Sequence, residues 1–83
     1  MYNVTIKKEA LKYIQKLDRP TVKRIRDAID KIAEDPSIGE LLISHEASYK
    51  YRVGGYRILY DVYEKELLVD IIKVSSRGQV YRK

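Results

Sequence analysis

The stretch Tyr49-Lys50-Tyr51-Arg52-Val53-Gly54-Gly55-Tyr56-Arg57-Ile58-Leu59-Tyr60 decides the fold. Two alternating runs flank a Gly-Gly pair, the pattern of a tight β-hairpin whose two-residue loop needs a positive φ that glycine adopts without steric cost. A two-residue loop fixes the register. Val53 must face Tyr56, Arg52 Arg57, Tyr51 Ile58, Lys50 Leu59 and Tyr49 Tyr60. One face then carries Tyr49, Tyr51, Val53, Tyr56, Ile58, Tyr60 and Val62, apolar enough to lie under helices. The other carries Lys50, Arg52, Arg57, Leu59, Asp61 and Tyr63. Arg52 and Arg57 stand directly opposite with Cβ atoms ~5 Å apart, where like charges repel. Asp61 is too far along the strand to relieve them, roughly 13 Å away.

Outward from the hairpin, Leu67–Ser75 reads as a third strand of the meander, after the polar turn Glu64-Lys65-Glu66. Before it, Ile38–Ala47 has no clear period and reads as a connecting loop, with a short helical turn around Leu41. Val22, Ile25, Ile29, Ile32 and Ala33 form one stripe at helical spacing, ended by Asp35-Pro36 because the residue before proline is pushed out of the helical region. Ala10, Leu11, Ile14 and Leu17 form an earlier stripe, and Asp18-Arg19-Pro20 breaks the chain between the two, with Pro20 suited to a first helical turn. Tyr2, Val4 and Ile6 alternate as a short first strand. The order is β-α-α-β-β-β: an α+β fold, a small and mostly antiparallel sheet with one face under a helical hairpin. No linker or repeat divides residues 1–83, which form one domain.

Composition narrows the chemistry. The 83 residues include no cysteine, which excludes a disulfide framework, a thiolate metal site and a thiol nucleophile, and one histidine, His45, which excludes a paired-imidazole acid and base. His45 reads as surface decoration, and Asp61 and Asp70 as packed or solvated carboxylates rather than a metal pair. No metal or cofactor is expected. Charges from Lys7 onward leave no room for a signal peptide, so the expected compartment is the cytoplasm, with no membrane contact. All eight aromatic residues are tyrosines. Lysine and arginine outnumber aspartate and glutamate by 17 to 12. The excess is concentrated: Ser48–Tyr60 holds Lys50, Arg52 and Arg57 and no acid, and Ile71–Lys83 holds Lys73, Arg77, Arg82 and Lys83 and no acid.

Three cations on one strand face with no acid beside them in the sequence point to an anion site, and phosphate suits guanidinium groups, whose paired N–H donors match its oxygens. A solvated basic face is the competing interpretation. Arg77 and Tyr81 are four residues apart and share a side in either a strand or a helix. They make either a second part of that site or a frayed basic terminus.

The run Tyr51–Tyr60 resembles the RVGxYRxxY hairpin of the RelE/ParE toxin superfamily, and Val74-Ser75-Ser76-Arg77-Gly78-Gln79-Val80-Tyr81-Arg82 resembles that family's closing HRxxVYR. The opening Tyr2–Leu17 and the helix ending at Ala33-Glu34-Asp35-Pro36 match as well. The resemblance implies the toxin of a type II toxin–antitoxin system. Its C-terminal Arg and Tyr favour the RelE-like branch: ribosome-dependent mRNA endonucleases that cut the A-site codon, each inhibited by a cognate antitoxin that also brings the pair to operon DNA. It implies Arg57, Arg77 and Tyr81 as catalytic residues, Lys50, Arg52, Arg82 and Lys83 as RNA-binding residues, and no metal or other cofactor. Ser76 stands where many members have histidine, which shifts proton transfer toward Tyr81 and the cations. Two other readings stay open: a ParE-like gyrase poison, and a non-catalytic basic RNA- or protein-binding module.

Overall fold

The computed structural model describes residues 1–43 and 46–76. The chain runs β1 (Asn3–Ile6), α1 (Lys8–Gln15), α2 (Arg19–Glu34), a 3₁₀ turn (Pro36–Ile38), β2 (Glu40–Leu41), β3 (Tyr49–Val53), β4 (Tyr56–Tyr63) and β5 (Leu68–Ser76). Local chemistry sets the helix boundaries. Asp18 caps α2, accepting from the Thr21 amide at 3.4 Å and the Thr21 hydroxyl at 2.7 Å, with Pro20 in the first turn. The Thr21 hydroxyl in turn holds the Asp18 carboxyl below its usual range. Asp35 ends the helix and starts the 3₁₀ turn, accepting from the Ser37 amide at 3.1 Å and hydroxyl at 2.6 Å.

The five strands form one sheet in the order β1-β5-β4-β3-β2, antiparallel except for the parallel β1–β5 pair. Every pairing expected for the hairpin is present: Tyr49–Tyr60, Lys50–Leu59, Tyr51–Ile58, Arg52–Arg57 and Val53–Tyr56. Gly54 has φ +57° and is the only described glycine with a positive value, so the loop bends at its first residue, as type II′ turns do. The core lies between helices and sheet. Ile25, Ile32, Ile58, Tyr60, Val69 and Ile71 are fully buried, and the expected tyrosine-rich face packs against them.

Three expectations need correction. The segment expected to be a loop with a helical turn near Leu41 instead turns earlier, at Pro36–Ile38, where Asp35 caps it, and Leu41 lies in the short edge strand β2. The last strand starts at Leu68, because Leu67, at φ +51°, completes the preceding turn. The alternation of that strand is also broken. Leu59 pairs with Lys73 and Tyr60 with Ile71, leaving Ile72 as an extra residue. That bulge brings Val74 onto the core side along with Val69 and Ile71.

Candidate nucleic-acid interface on the open sheet face

On the sheet face away from the helices, the register builds rows of side chains. Arg52, Arg57 and Ser75 form the first row, and Lys50, Leu59 and Lys73 the second. Asp61 and Asp70 oppose each other in the next. Successive rows lie roughly 7 Å apart along the strands. Positive charge therefore collects at the hairpin end of this face and negative charge at the other.

The acids are already engaged. Asp61 accepts from the Ser48 amide at 2.7 Å. Asp70, 9% exposed, accepts from the Thr5 hydroxyl at 2.9 Å and pairs with Lys7 at 3.3 Å. Among the described residues no group of three His, Asp or Glu side chains is placed to hold a metal ion.

The cations divide by residue type. Acid-free sequence around them does not leave all of them without acids in space, a correction to the expectation. Lys50 pairs with Glu40 of β2 at 3.4 Å, and Lys73 with Glu46 at 3.8 Å. Both acids come from the segment between α2 and β3. Among the described residues, neither Arg52 nor Arg57 has a carboxylate within ion-pair distance. The two lysines are thus paired with acids, and in the adjacent row the opposed arginines, among the described residues, are not.

The segment before β3 also shapes the site, which the sequence did not announce. Ser48 is tied to β4 through Asp61 and Glu46 to β5 through Lys73, so this segment crosses the open face. Ala47 within it is buried, and so is Leu59, an outer-face residue. A groove of about 480 Å³ follows, lined by Tyr13, Glu46, Arg57, Lys73, Ser75 and Ser76. Tyr13 of α1 was not singled out from the sequence. Burial pushes its hydroxyl pKa up, the neighbouring Tyr56 adds to that, and the Ser76 amide opposes it. Its only sequence signal is that it is one of eight tyrosines.

Of the sequence-expected site residues, Lys50, Arg52 and Arg57 share one face. Arg77, Tyr81, Arg82 and Lys83 lie outside the described residues, as does His45. Ser76 lines the groove together with Arg57.

Comparison with known proteins agrees with this architecture. The family described as the ParE toxin of type II toxin–antitoxin system, parDE, matches residues 4–81. A curated Escherichia coli protein described as RelE-like toxin is 28% identical over 79 residues, covering 92% of this chain and 83% of its own. The crystal structure of the isolated E. coli RelE toxin superposes with a TM-score of 0.79 at 25% identity, covering 98% of this chain and 92% of that one. The archaeal RelE–RelB complex from Pyrococcus horikoshii OT3 gives 0.76 at 27% identity, with 94% and 97% covered. No helix among the described residues is long and apolar enough to cross a membrane. With matched sequence from β1 to the C-terminal motif and the same fold, the chain belongs to the ParE-toxin family of type II toxin–antitoxin systems and is a RelE-like member of the RelE/ParE superfamily.

Proposed function

We propose that this toxin is a ribosome-dependent mRNA endonuclease acting in the cytoplasm on the A-site codon. The observation that carries this reading is the opposed pair Arg52 and Arg57, which among the described residues have no carboxylate within ion-pair distance, while the neighbouring Lys50 and Lys73 do. In the reaction the ribose 2′-OH attacks the adjacent phosphorus and the bond to the 5′-oxygen breaks. The 2′ proton goes to a basic group and the leaving oxygen gains a proton, giving a cyclic phosphate and a free 5′-OH. Arg57 and Arg77 stabilise the charge that develops on the phosphoryl oxygens, and Tyr81 acts near the attacking hydroxyl. Lys50, Arg52, Arg82 and Lys83 grip the flanking backbone. No metal is required, because guanidinium groups carry the electrostatic work.

An ordinary tyrosine has a pKa of about 10 and is a weak base at neutral pH. Ser76 supplies no imidazole in its place. Alignment of the RNA by the ribosome then contributes much of the rate, so cleavage of free RNA is slow. A cognate antitoxin that covers the basic face inhibits the enzyme. The RelE–RelB assembly of the P. horikoshii relative supports such a partner, and on this reading the toxin reaches operon DNA only through its own antitoxin complex.

Primer extension on mRNA in a translating extract tests the reading. The wild-type toxin yields codon-phased 5′ ends, and Arg57→Ala and Tyr81→Phe lose them. Wild-type cleavage by both variants overturns the assignment. A second reading, a gyrase poison, draws on the ParE description of the matching family. It predicts double-strand DNA breaks on expression and no phased mRNA ends.

A further inference from the structure

A second groove, of about 240 Å³, lies between α2 and β3, lined by Arg24, Asp27, Ala28, Lys31, Arg52 and Val53. It lies at the sheet edge where, among the described residues, β2 pairs with Tyr49 and Lys50 and no strand pairs with Tyr51–Val53 on that side. Its one acid is engaged, Asp27 pairing with Lys23 at 3.2 Å. Its three cations are not: among the described residues, Arg24, Lys31 and Arg52 have no carboxylate within ion-pair distance. Arg24 lowers the pKa of Asp18, but that carboxylate is occupied capping α2. The Arg24 guanidinium reaches the hairpin turn, with Nη1 3.7 Å from where a Cβ on Gly54 would stand. The Arg24 guanidinium therefore stands at the hairpin turn, and Arg52, whose register position is on the open face, also lines this groove.

We infer that Arg24 and Lys31 form a second phosphate-binding site, which holds the RNA backbone as it passes Arg52 and turns over the β3 edge toward α2. The inference rests on the RNA reading of the open face. A docked peptide needs large apolar or aromatic anchors in a packed pocket. Here the exposed lining is Arg24, Lys31, Arg52 and the already paired Asp27, while Ala28 is buried and Tyr51 and Val53 are half-buried. Phosphates need only such charge, and each one neutralised releases counterions, so binding becomes steeply salt-dependent.

The test is equilibrium binding of a 2′-O-methyl oligoribonucleotide, which cannot be cleaved, to the full chain across a potassium chloride series. Arg24→Ala and Lys31→Ala are each expected to weaken binding several-fold and reduce the slope of log K against log salt by about 0.7, the value for one single-strand phosphate contact. Arg26→Ala, an exposed α2 change outside the groove, leaves the slope at its wild-type value. If Arg52→Ala lowers the slope while Arg24→Ala and Lys31→Ala do not, this inference fails and the RNA reading stands. If none of the three lowers it, both fail. Loss of antitoxin co-purification in Arg24→Ala and Lys31→Ala, with RNA binding intact, also overturns the inference, because the groove is then a protein-docking surface.

Discussion

The two faces of the sheet differ in how they answer their own charges. Among the described residues no buried side-chain nitrogen or oxygen lacks a hydrogen-bond partner, and the helix-covered face shows how. The Tyr60 hydroxyl, fully buried, donates to the Pro36 carbonyl at 2.6 Å, and its ring stacks on Tyr49 at 5.3 Å. On the open face the lysines are satisfied by Glu40 and Glu46, while the arginines are left without a partner inside the described molecule. A protein that only needed to stay soluble would gain nothing from setting two guanidinium groups opposite each other on adjacent strands. On the function proposed above, folding energy resides on one face and the anion site on the other, so mutations should separate the two.

The sharpest break comes from the covered face. Ile32→Ala removes a fully buried side chain between α2 and the sheet and should destabilise the protein by about 2–5 kcal/mol. Chemical denaturation measures it directly, and an unchanged midpoint would mean that the helix is not packed as described.

A smaller effect is expected at Tyr60. Tyr60→Phe leaves the Pro36 carbonyl without its donor, at a cost of about 1–3 kcal/mol. The phenol also has a pH signature. Burial pushes its pKa up to about 12, against about 10 in the unfolded chain. The folded state favours the neutral form, so this contribution is complete below pH 10 and is lost as pH rises from there toward about 12. The wild type should lose stability over that window, and Tyr60→Phe should lose less; parallel alkaline melting curves for the two proteins would contradict this. Gly39 sharpens the same contact, because a Cβ there would collide with the Tyr60 hydroxyl.

Smallest is Glu40→Gln. The Glu40–Lys50 pair is largely exposed on the glutamate side, and such pairs contribute about 0–1 kcal/mol. Thermal melting should move by a few degrees at most, while RNA affinity rises at low salt because Lys50 is released. A fall in affinity would show that Glu40 positions Lys50 for RNA rather than competing with it.

The hairpin was legible in the sequence because its signals are local: Gly54-Gly55 fixes the loop, and alternation on either side fixes which residues face the core. Helix boundaries were legible at Asp18-Arg19-Pro20 and Asp35-Pro36 for the same reason. What escaped depends on distant partners. Glu40-Leu41 is too short to show a period and becomes a strand only by pairing with β3. Adjacent apolar residues Ile71 and Ile72 hide the bulge, since neither parity is visibly wrong. Glu46 and Ser48 cross the open face because Lys73 and Asp61 hold them there, and sequence separation conceals both contacts. The split between paired lysines and unpaired arginines follows from those contacts and was illegible with them.

The most direct measurement is the single-turnover rate of mRNA cleavage on purified ribosomes by wild type, Arg52→Ala, Arg57→Ala and the double variant, each checked by thermal melting. Arg57→Ala should be about 10²–10³-fold slower, the usual loss when one donor to a developing oxyanion is removed. Arg52→Ala should slow cleavage less, and the double variant should fall short of the product of the two losses, because neighbours acting on one backbone are coupled. All four proteins should melt at similar temperatures. Cleavage by Arg57→Ala at the wild-type rate, in a folded protein, would contradict the assignment of the open face to RNA.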